Sequence, residues 1–238
     1  METDEVVWHD LEHCGYRADL PVWRSIAGRA GPSSTVELGA GSGRVSLALA
    51  ADGHRVTAID QSPVLLSALR ARRAPGTGLE TVCSDVRDFR LAQRVATVLA
   101  PALLVQLTGG SGHRRRLFDA VAGALVPGGL FAAACDGRLP HVGSERVVDG
   151  TRRAARISGR AWTTEISAIA GENQTLILSR TRRTRSQRSI CSDEVLERIP
   201  LDAVAAEAAA CGLRPLERID VPGTGLHSGV TVMVFRAG

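Results

Sequence analysis

Three glycines stand at alternate positions, Gly39, Gly41 and Gly43, where a short apolar run from Thr35 to Leu38 gives way to a helical pattern from Val45 to Ala51. Glycine suits such a junction because it tolerates positive φ and lets a ligand lie against the backbone. The unpaired N–H groups at the helix start would face that ligand. Dinucleotide-binding loops space their glycines Gly-x-Gly-x-x-Gly, and phosphate loops need a lysine. Here the third glycine comes one residue early, and Arg44 occupies the helix-packing position. All 29 basic residues are arginine, so phosphate-loop and Schiff-base lysine chemistry are excluded. Glu37, two residues before the first glycine, would end the strand beside the ligand. A carboxylate there repels a pyrophosphate and attracts an ammonium or sulfonium group.

The flanking sequence alternates strand and helix. Strands are expected at Thr35–Leu38, Arg55–Ile59, Leu79–Cys83, Val95–Leu104 and Leu130–Cys135. Between them, helices are expected at Val45–Ala51, from Pro63 to about Arg72 with Ser62 as N-cap, and over Arg114–Leu125. This order implies a parallel sheet covered on both faces. The first thirty residues carry apolar side chains at spacings of three and four, a helical pattern. After Asp136 the period changes to two: Val147–Ile157, Ala161–Ala170 and Thr175–Ser189 read as three antiparallel strands, with Trp162, Thr164, Ile166 and Ala168 on one face. A helical stretch from Ser192 through Leu196 and another over Leu201–Cys211, closed by Gly212, then lead to two strands, Arg214–Val221 and Gly229–Arg236.

Glu37-x-Gly39-x-Gly41-x-Gly43 resembles the first motif of class I S-adenosylmethionine-dependent methyltransferases. Further matches follow in register: Asp60 ending the second strand, Ser84-Asp85-Val86 ending the third, Ala100-Pro101 at the fourth, Val126-Pro127-Gly128-Gly129 before the fifth, and the closing strand pair. The resemblance covers roughly residues 30–137 and 192–238. It implies an α/β, Rossmann-like, seven-stranded and mostly parallel sheet with a C-terminal reversed hairpin, plus a small antiparallel β insertion. It divides the chain into an N-terminal helical lid (1–30), a cofactor-binding core (31–137 and 191–238) and an insertion on the acceptor side (138–190). It implies S-adenosylmethionine as cofactor and S-adenosylhomocysteine as product. Gly39, Ala40, Gly41 and Gly43 would cradle the methionine part, with Glu37 near its ammonium. Asp60 would take the ribose, Gln61 beside it would also border the cofactor, and Ser84, Asp85 and Val86 would take the adenine. Ala100, at the fourth-strand motif, would border the cofactor, Gln106 would lie at the mouth of the site, and the hydroxyl of Tyr16 would contact the methionine carboxylate from the lid. Ala100-Pro101-Ala102 lacks the polar fourth-strand signature of adenine-N6 and glutamine-N5 methylation, and no cysteine follows a proline for pyrimidine C5 chemistry.

The catalytic group is not identified. Methyl transfer from a sulfonium needs positioning more than a base. Gln106, a polar residue in an apolar run, and His141, beyond the fifth strand, are candidates; His113 and His227 are weaker ones, and Arg17, beside Tyr16, is either a further functional residue of the lid or a solvated charge. His9 and His13, four residues apart on one helical face, lack a third metal ligand in the sequence, and no metal is expected. Eleven of the 29 arginines but only four of the 25 acidic residues lie between Arg138 and Ile190. That excess fits a solvated strand face, a small anion, or nucleic acid. Aromatic residues are only 3% of the chain, which is poor supply for base stacking. The expected acceptor is a small molecule or small peptide, possibly anionic. The alternatives are an RNA or DNA methyltransferase using the insertion, a non-catalytic S-adenosylmethionine-binding protein, and, more distantly, a nicotinamide enzyme. Five scattered cysteines, an acidic start and no long apolar run point to a cytoplasmic protein without a membrane partner. The oligomeric state is not legible.

Overall fold

A computed structural model describes residues 3–30, 34–137, 148–157, 159–170, 175–184, 189–224 and 229–238. Strands β1 (Ser34–Leu38), β2 (Arg55–Asp60), β3 (Leu79–Cys83), β4 (Val95–Ala100), β5 (Leu125–Cys135), β10 (Leu213–Val221) and β11 (Val230–Ala237) form one sheet, in the order β10-β11-β5-β4-β1-β2-β3. The pairs among β1 to β5 are parallel, and β11 runs antiparallel to both β5 and β10. The reversed hairpin expected at the C-terminus is therefore present. From β1 the chain winds outward to β3, then returns to β4 on the other side of β1. Such a reversal opens a crevice at the carboxyl ends of the strands.

Both faces of the sheet are covered, and the strand sequences say why. In β5, Phe131, Ala133 and Cys135 pack with Leu117, Phe118 and Val121 of α5 (Ser111–Ala124) and with Val204 and Ala208 of α6 (Leu201–Ala210). The alternate residues Leu130, Ala132 and Ala134 join the opposite cluster. That cluster contains Trp23 and Ile26 of α2 (Leu20–Gly28), Leu49 of α3 (Ser46–Ala51) and Leu69 of α4 (Pro63–Arg72). Helix α4 starts as its sequence indicates: the Ser62 hydroxyl accepts from the Leu65 N–H at 3.2 Å, and Pro63 fills the first helical position.

A second, antiparallel sheet contains β6 (Val148–Ile157), β7 (Arg160–Ala170), β8 (Thr175–Thr184) and β9 (Ile190–Glu197). Its fourth strand corrects the helix expected from Ser192 to Leu196. A helix of five residues is marginal by itself. Pairing with β8 instead satisfies the backbone groups on one side of Ile190–Glu197 and places Leu196 against Ala168 and Leu176. The fourth strand of the main sheet is also shorter than expected. It ends at Ala100. Ala102 and Leu103 then take left-handed φ of 62° and 58°, and Leu104–Leu107 forms a 3-10 turn.

At the N-terminus α1 (Asp4–His9) runs into a π-helical turn, Asp10–Cys14. This segment packs on the second sheet. Trp8 meets Trp162 edge-on, with ring centroids 4.8 Å apart. The buried Glu12 carboxylate accepts from Thr164 Oγ1 at 2.9 Å and from Arg182 at 2.6 and 2.7 Å, while Arg153 donates to the Glu12 carbonyl. Among the described residues no helix is long and apolar enough to cross a membrane.

Candidate active site

The glycine loop lies at the carboxyl end of β1, at the crevice where strand order reverses. Gly39, Gly41 and Gly43 have φ of 67°, 54° and 100°, a region that other L-residues adopt only under strain. The loop is held from two sides. The Ala40 N–H donates to the Ile59 carbonyl at 3.0 Å, and the Gly41 N–H donates to Asp60 Oδ2 at 2.8 Å. Asp60 ends β2, and its other oxygen accepts from the Ser62 N–H at 2.8 Å. One carboxylate thus fixes both the glycine loop and the start of α4.

Glu37 is 2% exposed and accepts a hydrogen bond from the Ser46 hydroxyl. Burial raises its pKa, the Ser46 hydrogen bond opposes that only in part, and the result is about 7. A carboxyl poised between its two forms at the end of a strand, beside the glycine loop, can take a cationic ligand group. At the end of β3 the Ser84 N–H donates to the Asp60 carbonyl at 3.1 Å. Asp85 is held by Arg87 at 2.5–3.0 Å, chiefly through that hydrogen bonding, which lowers its pKa to about 2. Val86 packs on the main core, and Gln61 is exposed. A cavity of about 520 Å³ lies beyond Asp85, lined by Arg87, Arg90, Arg94 and Arg116 among others; the glycine loop does not line it.

The remaining expected site residues are placed unevenly. Ala100 is fully buried at the end of β4. Gln106 is fully buried and spent on backbone: its amide donates to the carbonyls of Asp136 and Glu197 at 3.2 and 3.0 Å and accepts from the Asp136 N–H at 2.7 Å. It ties β5 to β9. The Tyr16 hydroxyl donates to the Pro222 carbonyl at 3.5 Å, and its ring lies 5.7 Å from the Arg44 guanidinium. Arg17 is exposed, and His113 bonds the carbonyls of Thr108 and Gly109. His141 and His227 lie outside the described residues.

A network that the sequence reading does not single out covers the glycine loop. His9 Nδ1 lies 3.1 Å from Ser42 Oγ, and Ser42 donates to Asp10 Oδ1 at 2.5 Å. Arg72 reaches both oxygens of Asp10, and the Cys14 thiol donates to one of them. His9, Asp10 and Cys14 hold three potential metal-ligating atoms within 4.8 Å. The guanidinium on Asp10 repels a cation, so the cluster is a hydrogen-bond latch between the N-terminal segment and the loop. Only the position of Ser42 between two glycines hints at it in the sequence.

Comparison with known proteins gives a consistent picture. A family model described as a methyltransferase domain matches residues 36–129. No curated protein sequence matches the chain. Among solved structures, the sugar N-methyltransferase KedS8 from Streptoalloteichus sp superposes with a TM-score of 0.78 at 15% identity, over 99% of this chain and 93% of that one. The CcbJ methyltransferase from Streptomyces caelestis gives 0.73 at 21% identity, over 94% and 97%. The amino pentose methyltransferase CalS10 from Micromonospora echinaspora gives 0.69 at 20% identity, over 97% of each chain. At these identities the likeness is one of fold.

Proposed function

We propose that the chain, whose residues 36–129 match a methyltransferase-domain model, is a class I S-adenosylmethionine-dependent methyltransferase that methylates a nucleophilic atom, foremost an amine nitrogen, of a small molecule such as an amino sugar. The cofactor supplies a methyl group already activated on sulfonium. The protein has to hold the two reactants in line and let a proton leave the acceptor. Glu37 faces the ammonium of the methionine part, the glycine loop lies along it, Asp60 takes the ribose hydroxyls, and Asp85 with Val86 borders the adenine. The lid is the N-terminal segment, and the second sheet is the acceptor-side insertion.

The observation that carries the small-acceptor reading is the direction of three of the seven described arginines in the second sheet. Arg153, Arg180 and Arg182 turn onto the N-terminal segment and its Glu12, or onto Glu194, while Arg152, Arg156, Arg160 and Arg183 are exposed. A nucleic-acid surface needs its basic residues free to meet phosphates. The amine preference draws on the sugar N-methyltransferase and the amino pentose methyltransferase with the same fold.

Two measurements test this reading. Calorimetric titration should show saturable S-adenosylhomocysteine binding and none of NAD. Release of S-adenosylhomocysteine should then follow amino sugars or short peptides rather than RNA. Methylation of RNA that weakens steeply with salt would overturn the acceptor class. Asp60→Ala should weaken S-adenosylhomocysteine binding by about 1–3 kcal/mol, the scale of leaving ribose hydroxyls unpaired. An unchanged affinity in the same titration would remove the ribose from Asp60.

A further inference from the structure

We propose that His9 is a cofactor-binding residue: its imidazole, lying on Gly41, takes the carboxylate of the methionine end while Glu37 takes the ammonium. The inference rests on the cofactor reading above and concerns a residue that the glycine motif does not contain.

Position comes first. A side-chain carbon built on Gly41 would collide with His9 Nε2 and stand 2.5 Å from Cε1. The ring therefore lies on the open face of the middle glycine, at the loop expected to cradle the methionine part. The direction of the hydrogen bonds comes next. The Ser42 hydroxyl gives its proton to Asp10, so its oxygen is left to accept, and His9 Nδ1 is the donor to it. Nδ1 is thereby used. Nε2, the nitrogen over the glycine, has no hydrogen-bond partner among the described residues.

Charge completes the case. Asp10 is shared between two cations. Arg72 approaches it at 2.5 and 3.1 Å, whereas His9 is 3.6 Å away. One carboxylate against a guanidinium and an imidazolium leaves the latch with a net positive charge. Burial works against the charge on His9, but the adjacent Asp10 and Cys14 side chains outweigh it and raise the pKa to about 9. The neighbouring His13 ring, 5.0 Å away, is driven the other way by burial and by the charge on His9, so His9 carries the proton of the pair. Two other groups near the loop are already engaged. Arg44 grips Asp19 at 2.5 and 2.8 Å. Tyr16, to which the sequence resemblance gives the carboxylate, spends its hydroxyl on Pro222. A charged N–H on the glycine loop is the matching partner for a carboxylate.

The experiment compares two ligands that differ in the amino-acid part. S-adenosylhomocysteine carries the carboxylate; its decarboxylated analogue, 5′-(3-aminopropylthio)adenosine, keeps the ammonium and the adenosine. Both are titrated calorimetrically into the wild type, His9→Gln and His9→Ala, with thermal midpoints recorded for each. The wild type should prefer S-adenosylhomocysteine, and both variants should lose about 10- to 100-fold of its affinity. Affinity for the decarboxylated analogue should change less than about twofold, since the lost contact is absent from that complex. Equal losses for both ligands would make His9 a structural part of the lid and overturn the inference. Unchanged or tighter S-adenosylhomocysteine binding in the variants would overturn it too, the second by showing that the ring obstructs the loop. Should His9→Ala fold poorly, His9→Gln and the wild-type preference between the two ligands still decide. A wild type that binds neither ligand would instead overturn the cofactor reading itself.

Discussion

Arg114→Ala is expected to destabilise the fold by about 3–5 kcal/mol, the scale of removing one partner from a buried ion pair. Arg114 is 4% exposed. Its Nε and Nη2 donate to Glu207 at 2.7 and 2.9 Å, and its Nη1 donates to Glu197. One guanidinium thereby joins α5 to α6 and to the last residue of β9. Alanine would leave Glu197 and Glu207 facing each other without a cation. Arg114→Lys should recover only part of the loss, because an ammonium lacks the planar fork that pairs Glu207 bidentately while a third N–H reaches Glu197. Thermal unfolding is the readout, and a chain of this size should lose roughly 10 °C. The glycine loop lies outside this contact, so S-adenosylhomocysteine binding at low temperature should survive. A midpoint within about 2 °C of wild type would show that the triad is not a net contributor to stability.

That triad also illustrates what the sequence does and does not disclose. The parallel core is legible because its signals are local: apolar runs of strand length, Ser62-Pro63 opening α4, and Gly212 with φ of 83° closing α6. The strand expected over Leu79–Cys83 has those bounds. Four features escape because they depend on partners distant in the chain. Ser192–Leu196 is a strand only because β8 offers an edge. Gln106 looks like a site residue in an apolar run, yet its amide matches backbone groups 30 and 91 residues away. The arginines of the second sheet look like a solvated or ligand-facing stripe, yet three of them meet the N-terminal segment, where Glu12 awaits them. His9 looks like half of a histidine pair, and only folding places it on Gly41. Spacing reveals which backbone can approach a ligand. It does not reveal which side chain from another element closes over it.

Glu37 gives the second large effect, and its sign can be worked out. Its ordinary pKa of 4.5 rises to about 7 in the free fold. A raised carboxyl pKa means that the folded state holds a proton the unfolded chain has released. The contribution to stability is therefore full below about pH 4.5 and lost as pH climbs through 7. Ligand binding should run the other way. An ammonium group needs the ionised carboxylate, so S-adenosylhomocysteine affinity should rise roughly tenfold from pH 6 to pH 8 as Glu37 gives up its proton. At pH 7 binding should release about half a proton, measurable as a dependence of the calorimetric heat on the ionisation enthalpy of the buffer. His9, with its pKa of about 9, stays charged across that window and does not obscure it. Glu37→Gln should flatten the pH dependence and weaken binding by about 1.5–3 kcal/mol, the range for a hydrogen bond to a charged group. The same variant should make the free protein less sensitive to rising pH, since the group that loses stability between pH 4.5 and 7 is gone. A wild-type affinity that is flat from pH 6 to 8 would mean that the ammonium lies elsewhere, and that the carboxylate at the end of β1 serves only to hold Ser46.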